Sequence, residues 1–261
     1  MTDSYCTIDF GVNYSGHGYK EADVKRILEN AYNLGVDKVV CISNEMSEAV
    51  ANIELANKIE QLHFTLGVHP HNAKDFKDSD LKFISDNLSN PKCFGIGEAG
   101  LDFNRNFSPR DKQIYAFTKQ LELAKQSNSK LYLHCREAYP EFIQIIKQHK
   151  YYNGIVHCFT GTLEQALELT NLGFKLGITG WLLDNRRNSD LVSVVSSSNI
   201  KLTSLLVETD APFMAIRSTK RKNSLPEDTA LVVKRIAELK QIDEIECGKA
   251  LYANAIEFLK N

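Results

Sequence analysis

The sequence predicts an α/β protein folded as a (β/α)8 TIM-type barrel. Short apolar, β-branched segments alternate eight times with longer segments of helical period, the pattern of repeated βαβ units around a parallel sheet. The chain has 261 residues, and barrels of eight such units commonly take about 250 residues. A doubly wound open sheet is the alternative architecture that the same pattern allows.

The pattern places each element along the chain. The candidate strands are residues 7–12, 38–42, 64–68, 93–97, 130–133, 154–156, 175–179 and 204–207. The helices that follow them are predicted at residues 21–34, 46–61, 79–88, 109–126, 137–149, 162–172, 189–197 and 226–239, with a last helix at 243–259 outside the barrel. No linker, low-complexity tract or internal repeat interrupts this order. We therefore expect residues 1–261 to form a single domain.

Composition and charge exclude several classes of protein. Hydrophobic residues make up 43% and charged residues 25% of the chain, close to globular averages, so a packed core is expected. The polar start and the lack of an apolar run of roughly 20 residues predict a cytoplasmic protein without membrane association. The 6 cysteines form no Cys-x-x-Cys pair, which favours reduced thiols over a zinc ribbon. A net charge of −2 restricts any nucleic-acid contact to a local patch.

Side chains with chemical capability lie at the predicted C-terminal ends of the strands. They are Asn13 after the first strand, Glu98 after the fourth, His134 after the fifth, His157 after the sixth and Asp210 after the eighth. The C-terminal ends in a parallel barrel share the face where barrel enzymes have their active sites. Glu98, His134 and His157 would then supply one carboxylate and two imidazoles, and would leave coordination positions for water and a substrate oxygen. The arrangement predicts a catalytic divalent metal.

Three further residues have candidate roles beside this metal. Asp210 lies in the segment Val207-Glu-Thr-Asp-Ala-Pro212, where a carboxylate can accept a proton from water or act as an additional ligand. His69 and His71 follow the third strand. Each can donate a hydrogen bond to a phosphate oxygen or cap the next segment.

Seven motifs, spread over nearly the whole chain, occur in the order found in one enzyme family. They are Asp9-Phe-Gly-Val-Asn13, Gly67-Val-His-Pro-His71, Gly95-Ile-Gly-Glu-Ala-Gly-Leu-Asp-Phe103, Leu133-His-Cys-Arg136, His157-Cys-Phe-Thr-Gly161, Gly177-Ile-Thr-Gly-Trp181 and Glu208-Thr-Asp-Ala-Pro212. In these motifs the chain resembles the TatD deoxyribonucleases of the metal-dependent hydrolase superfamily. Asp102-Phe-Asn-Arg-Asn-Phe107 and the Gly180-Trp181 pair resemble the bacterial members that give the family its name more than their paralogues.

The resemblance implies an activity and a role for each matching residue. It implies 3′-to-5′ exonuclease action on the 3′ ends of single-stranded DNA, with RNA as a further substrate. Magnesium is the implied metal, with manganese and zinc as alternatives, and no obligate protein partner is inferred. Carried over residue by residue, it assigns metal binding to Glu98, His134 and His157, catalysis to Asp210, and phosphate binding to His69, His71 and Arg136.

Two segments depart from the family pattern. Many members have His-x-His after the first strand, where this chain has Gly11-Val-Asn13. We therefore expect one metal held by the protein, with Asn13 contacting the substrate or a second ion that is held mainly by substrate phosphate. The loop after the last strand has Asn223-Ser-Leu-Pro226 in place of the usual Asn-Glu-Pro. Its basic run, Arg217 to Lys222, can contact phosphate or simply be solvated.

Two other functions remain open at this point. One is a metal-dependent hydrolase of a different ester or amide, such as an aminoacyl ester, because the same barrel serves many substrates. The other is a binding protein whose catalytic site has decayed. The retained Glu98, His134, His157 and Asp210 argue against the second.

Overall fold

Strands and helices alternate along the chain in the predicted order. The computed structural model describes residues 4–186 and 188–260. The strands are β1 (Thr7–Val12), β2 (Val36–Cys41), β3 (Leu62–Leu66), β4 (Cys93–Asp102), β5 (Leu131–Arg136), β6 (Gly154–Val156), β7 (Lys175–Ile178) and β8 (Leu205–Val207). The helices are α1 (Glu21–Asn33), α2 (Met46–Lys58), α3 (Asp78–Asn87), α4 (Arg110–Ser127), α5 (Tyr139–His149), α6 (Leu163–Leu172), α7 (Ser189–Ser196), α8 (Thr229–Lys240) and α9 (Glu244–Leu259).

The sheet has the strand order of a (β/α)8 barrel. Its eight strands follow one another in the order β1 to β8, and the alternation of strands and helices along the chain matches the barrel topology. The predicted fold class is therefore confirmed, and the doubly wound alternative, which needs a reversal of strand order, is excluded.

The chain divides into two compact units. One unit comprises the chain from β1 to Val40 together with the chain from Cys158 through α9, and the other is Cys41–His157. In the first unit β7 and β8 are parallel, with Leu176 opposite Leu205. In the second unit β3, β4, β5 and β6 are parallel neighbours. The single domain over residues 1–261 stays a prediction.

Helix ends follow from local sequence. Thr162 caps α6 by accepting the N–H of Gln165, whose side chain bonds back to the N–H of Thr162, and this pair forms a capping box. The helix ends at Gly173, whose φ of 115° suits glycine. Asp243 caps α9 by accepting two backbone N–H groups. These signals explain why the predicted bounds of both helices differ little from the observed ones.

The observed β4 and β5 are longer than predicted. β4 continues to Asp102 and β5 to Arg136, so the prediction that Glu98 and His134 follow their strands is wrong, because both lie within them. Within residues 4–186 and 188–260, no helix has the length and apolar character needed to cross a membrane. The cytoplasmic location stays a prediction.

Candidate metal centre

A β-bulge sets the direction of Glu98. On β4, Ile96 is opposite Leu131 and Ala99 is opposite Leu133, so β4 has one more residue than β5 between these pairs. Such a bulge bends the strand and re-aims a side chain. Gly97 has a φ of 156° in this bulge, and Glu98 donates its backbone N–H to the carbonyl of Ser43 at 3.0 Å. The bulge and this hydrogen bond thus fix the backbone of Glu98, and its side-chain carboxylate remains available to the site.

Three imidazoles converge on one oxygen of Glu98. Its Oε1 lies 2.8 Å from Nδ1 of His134, 3.5 Å from Nε2 of His69 and 3.7 Å from Nε2 of His157. Glu98 is 4% exposed, so its carboxylate is shielded from bulk water. The structure therefore brings together all three predicted metal ligands, and it places His69 beside them.

A backbone N–H group sets the tautomer of His69. Its Nδ1 accepts the N–H of His71 at 3.0 Å, so the proton of the neutral ring lies on Nε2. Burial lowers the pKa of His69 to about 4, although the nearby Glu98 carboxylate acts in the opposite direction. His69 thus presents an N–H donor towards Glu98, whereas metal coordination needs a bare nitrogen lone pair. This favours the predicted hydrogen-bonding role of His69 over a ligand role.

The ring of His157 is held by a side-chain hydroxyl, which can accept as well as donate a hydrogen bond. Its Nδ1 lies 2.7 Å from the hydroxyl of Tyr132, and this pair is buried. A partner on one imidazole nitrogen fixes the ring orientation and leaves the other nitrogen for a metal. The Nε2 atom of His157 is the nitrogen that faces Glu98, and its role as a metal ligand stays a prediction.

His134 contacts two carboxylates. Besides Glu98, Oδ2 of Asp102 lies 3.4 Å from Nε2 of His134, while the same oxygen lies 2.8 Å from Nε2 of His71. Within the part of the chain that the structure describes, Nε2 of His134 is buried and has no hydrogen-bond partner, so its contact with Asp102 is electrostatic. A buried nitrogen in this state fits a position where a ligand or metal completes the site.

Electrostatics keep the centre anionic. Burial alone would raise the pKa of Glu98, but His69, His157 and the hydrogen bond from His134 outweigh it and hold that pKa well below its ordinary value. Burial is likewise outweighed at Asp102 by His134 and His71, so the pKa of Asp102 is also lowered. Two ionised carboxylates among imidazoles form a donor set that fits a divalent cation. The cluster and the wider family thus support divalent metal binding.

Asp210 belongs to a hydrogen-bonded group on β1 and the segment after β8. Its Oδ1 accepts an N–H from the side chain of Asn13 at 2.8 Å, and its φ is 58°, which aspartate tolerates better than most residues. Beside it, Asp9 accepts the backbone N–H groups of Thr209 and Gly11 and the hydroxyl of Thr209. Burial raises the pKa of Asp9 to about 8, against the lowering effect of these hydrogen bonds. The group links β1 to the segment that carries Asp210.

The predicted phosphate-binding residues differ in exposure. The side chain of His71 is 27% exposed, while His69 is buried. Arg136 ends β5, opposite Asp102, with an exposed side chain. In the basic loop, Arg221 pairs with Glu227 at 3.3 Å and also with Asp228, so part of its charge is neutralised within the protein.

The sequence reasoning missed Asp102 and Tyr132 as site residues. Side chains alternate along a strand, so Tyr132 and His134, two positions apart, share one face of β5. This spacing was a usable signal. Asp102 lay beyond the predicted end of its strand, and only the continuation of β4 reveals that it belongs with Glu98.

A comparison with known families decides the membership of the chain. The model of the family described as "TatD related DNase" matches residues 2–260. The chain belongs to this family. A curated relative from Cronobacter sakazakii, named 3′-5′ ssDNA/RNA exonuclease TatD, is 33% identical over 264 residues that cover 97% of this chain and 98% of the relative. A relative of the same name from Escherichia fergusonii is 33% identical and covers 88% of this chain and 90% of its own.

A solved structure of a TatD homologue supports the same conclusion. The crystal structure of YjjV, a TatD homologue from Escherichia coli K12, is 29% identical with a TM-score of 0.89, and the match covers 98% of each chain. The resemblance to the TatD family that the motifs indicated is therefore confirmed, as is the hydrolase class of the chain.

Proposed function

We propose that this chain is a metal-dependent exonuclease that removes nucleotides from the 3′ ends of single-stranded DNA and also degrades RNA. The convergence of the imidazoles of His134 and His157 on Oε1 of Glu98 carries this proposal, because one carboxylate and two imidazoles suit metal-assisted hydrolysis. The names of the two curated relatives support the substrate class.

Glu98, His134 and His157 would hold the metal, and magnesium is the proposed ion. A bound divalent ion would polarise a phosphodiester oxygen and favour ionisation of water. Magnesium prefers oxygen ligands and usually retains several waters, so a phosphate-rich substrate suits it. The imidazoles would also accept manganese or zinc.

Asp210 is proposed as the general base that accepts the proton of the attacking water. It follows β8 by three positions, at the kind of strand end where barrel enzymes place catalytic residues. The N–H from Asn13 to Oδ1 orients the carboxylate, so that it does not have to be ordered during the reaction.

Phosphate recognition is assigned to His69, His71 and Arg136. His69 presents an N–H at Nε2 because its Nδ1 is already an acceptor. Arg136 has an exposed guanidinium with donors arranged for a phosphate. These donors would stabilise the negative charge that develops on the phosphoryl oxygens during attack.

The test uses metal-stripped protein and end-labelled substrates. Single-stranded DNA, double-stranded DNA and RNA, each labelled at the 5′ end, are incubated with protein to which magnesium, manganese or zinc is restored separately. We expect ladders that shorten from the 3′ end, fastest for single-stranded DNA in magnesium. Esterase and amidase substrates, including an aminoacyl ester, form the parallel control.

Each outcome separates the alternatives. Loss of the 3′ nucleotide only after metal is restored supports the proposal. Turnover of the ester or amide without cleavage of nucleic acid would instead identify a different metal-dependent hydrolase. Metal binding without hydrolysis of any substrate would indicate a decayed site.

A further inference from the structure

An exposed aromatic ring lies beside the metal centre. Phe107, in the loop between β4 and α4, is 56% exposed. Its ring packs edge-to-face on His71, with 4.8 Å between centroids. The guanidinium of Arg105 lies 5.8 Å from the ring centroid of Phe107, within the range of a cation–π contact. The large apolar side chain of Phe107 is thus exposed to solvent next to His71, which is assigned to phosphate recognition.

The first half of the loop is fixed by Asp102. Its Oδ1 accepts the backbone N–H groups of Asn104 and Arg105, each at 3.0 Å. The side chain of Asn106 donates to the carbonyl of Phe103 at 2.7 Å, and that of Asn104 donates to Glu137 at 2.6 Å. The backbone that leads to Phe107 is therefore held from both sides.

The second half of the loop is fixed by Ser108, which is fully buried. Its hydroxyl donates to the carbonyl of His71 at 2.7 Å and accepts the N–H of Lys74 at 3.0 Å. Gln113 donates to the carbonyls of both Ser108 and Asp102, at 2.9 and 3.1 Å. Phe107 thus projects from an ordered loop, and the loop would lose little conformational entropy when a flat ligand binds over the ring.

We propose that Phe107 is a stacking platform for a nucleobase at the 3′ end of the single-stranded substrate, with Arg105 contacting the adjoining phosphate. Aromatic side chains stack on bases of unpaired strands without regard to sequence, whereas paired bases within a duplex do not expose their faces. The platform would therefore select for single strands and position the chain for attack. This inference rests on the proposed nuclease function.

A purely structural role for Phe107 makes a different prediction. If the ring only supports His71, its removal would slow hydrolysis equally for every substrate. If the ring stacks on a base, the loss would depend on whether that base is present. An abasic nucleotide, which keeps the sugar and phosphate, separates these roles.

The experiment measures single-turnover removal of the 3′ nucleotide by wild type, Phe107→Ala, Phe107→Leu and Phe107→Trp. The substrates are single-stranded DNA and versions with one abasic site at the first, second or third position from the 3′ end. Tyr115→Ala is the matched control, since Tyr115 is another exposed aromatic, 46% accessible, but packs against Phe76.

On intact DNA we expect Phe107→Ala and Phe107→Leu to be slower by roughly 5- to 150-fold, from the usual strength of base–aromatic stacking. Phe107→Trp keeps an aromatic face and should lose less activity than Phe107→Ala, whereas Tyr115→Ala should stay within about twofold of wild type. When the abasic site is at the position that stacks on Phe107, the wild-type rate should fall by the same factor. The rate of Phe107→Ala should be the same on that substrate as on intact DNA.

Two results would overturn the proposal. One is a Phe107→Ala rate equal to wild type on intact DNA. The other is an equal loss with intact and abasic DNA at all three positions, which would assign Phe107 to the support of His71. If wild type itself fails to shorten any strand, the nuclease function fails first, and the two failures are thus distinguished.

Discussion

Tyr132→Phe should weaken metal binding without altering any metal ligand. The substitution deletes a hydroxyl that lies 2.7 Å from Nδ1 of His157 in a buried pair. Loss of a buried hydrogen bond costs about 1–3 kcal/mol of folding free energy, and the melting temperature should fall by about 2–4 °C for each kcal/mol in a chain of this size. The ring of His157 then lacks the contact that orients Nε2 towards Glu98. Removing such a supporting contact typically lowers metal affinity by about 10- to 100-fold.

The assay titrates metal-free wild type and variant with manganese and with zinc in a calorimeter, and records thermal melts of both. Tyr151→Phe is the matched control, because the hydroxyl of Tyr151 donates to the carbonyl of Ser129 at 2.6 Å, and Ser129 lies outside the metal centre. We expect both variants to lose stability and only Tyr132→Phe to lose metal affinity. Equal metal affinity in wild type and Tyr132→Phe would refute the argument that this hydroxyl orients the ligand.

Three further predictions concern the metal and the base. His134→Ala and His157→Ala should each lose metal retention and reduce hydrolysis to background with an unchanged circular dichroism spectrum; wild-type turnover of both in defined magnesium would remove the proposed centre. Asp210→Asn should keep its affinity for single-stranded DNA, measured by anisotropy, and slow cleavage by about a hundredfold or more; cleavage near the wild-type rate would make Asp210 structural. Metal analysis of the DNA-free protein should find about one tightly held ion, because Gly11 and Asn13 offer no imidazole, whereas two equally tight ions would contradict a single protein-held site.

Periodicity was sufficient to predict the order of elements but not the length of β4. Glycine is depleted in strands, so the composition of the segment from Gly97 to Gly100 gives no local signal that the strand continues to Asp102. The structure shows why glycine is required at these positions within the strand. A Cβ at Gly97 would collide with the carbonyl of Tyr132, and one at Gly100 with the carbonyl of His134. The glycines allow β5 to approach closely, which no local pattern on β4 reveals.

The candidate site was predictable as far as strand positions determine it. Glu98, His134 and His157 were expected to converge because neighbouring parallel strands carry them, and the structure places them around one carboxylate oxygen. The bulge that aims Glu98 depends on the pairing of β4 with β5, which is a tertiary property. The same limit applies to Tyr132, whose role becomes visible only through its contact with His157.

The hydrogen bond from the backbone of His71 to the ring of His69 has a consequence for how this site can vary between relatives. Because the N–H group belongs to the main chain, the residue at position 71 can change without disturbing the protonated form of its neighbour two positions earlier. Proline is the exception, since it has no N–H. A relative could therefore lack the imidazole at position 71 and still keep the N–H donor at position 69. The two histidines are neighbours in space, but they can be substituted independently during evolution.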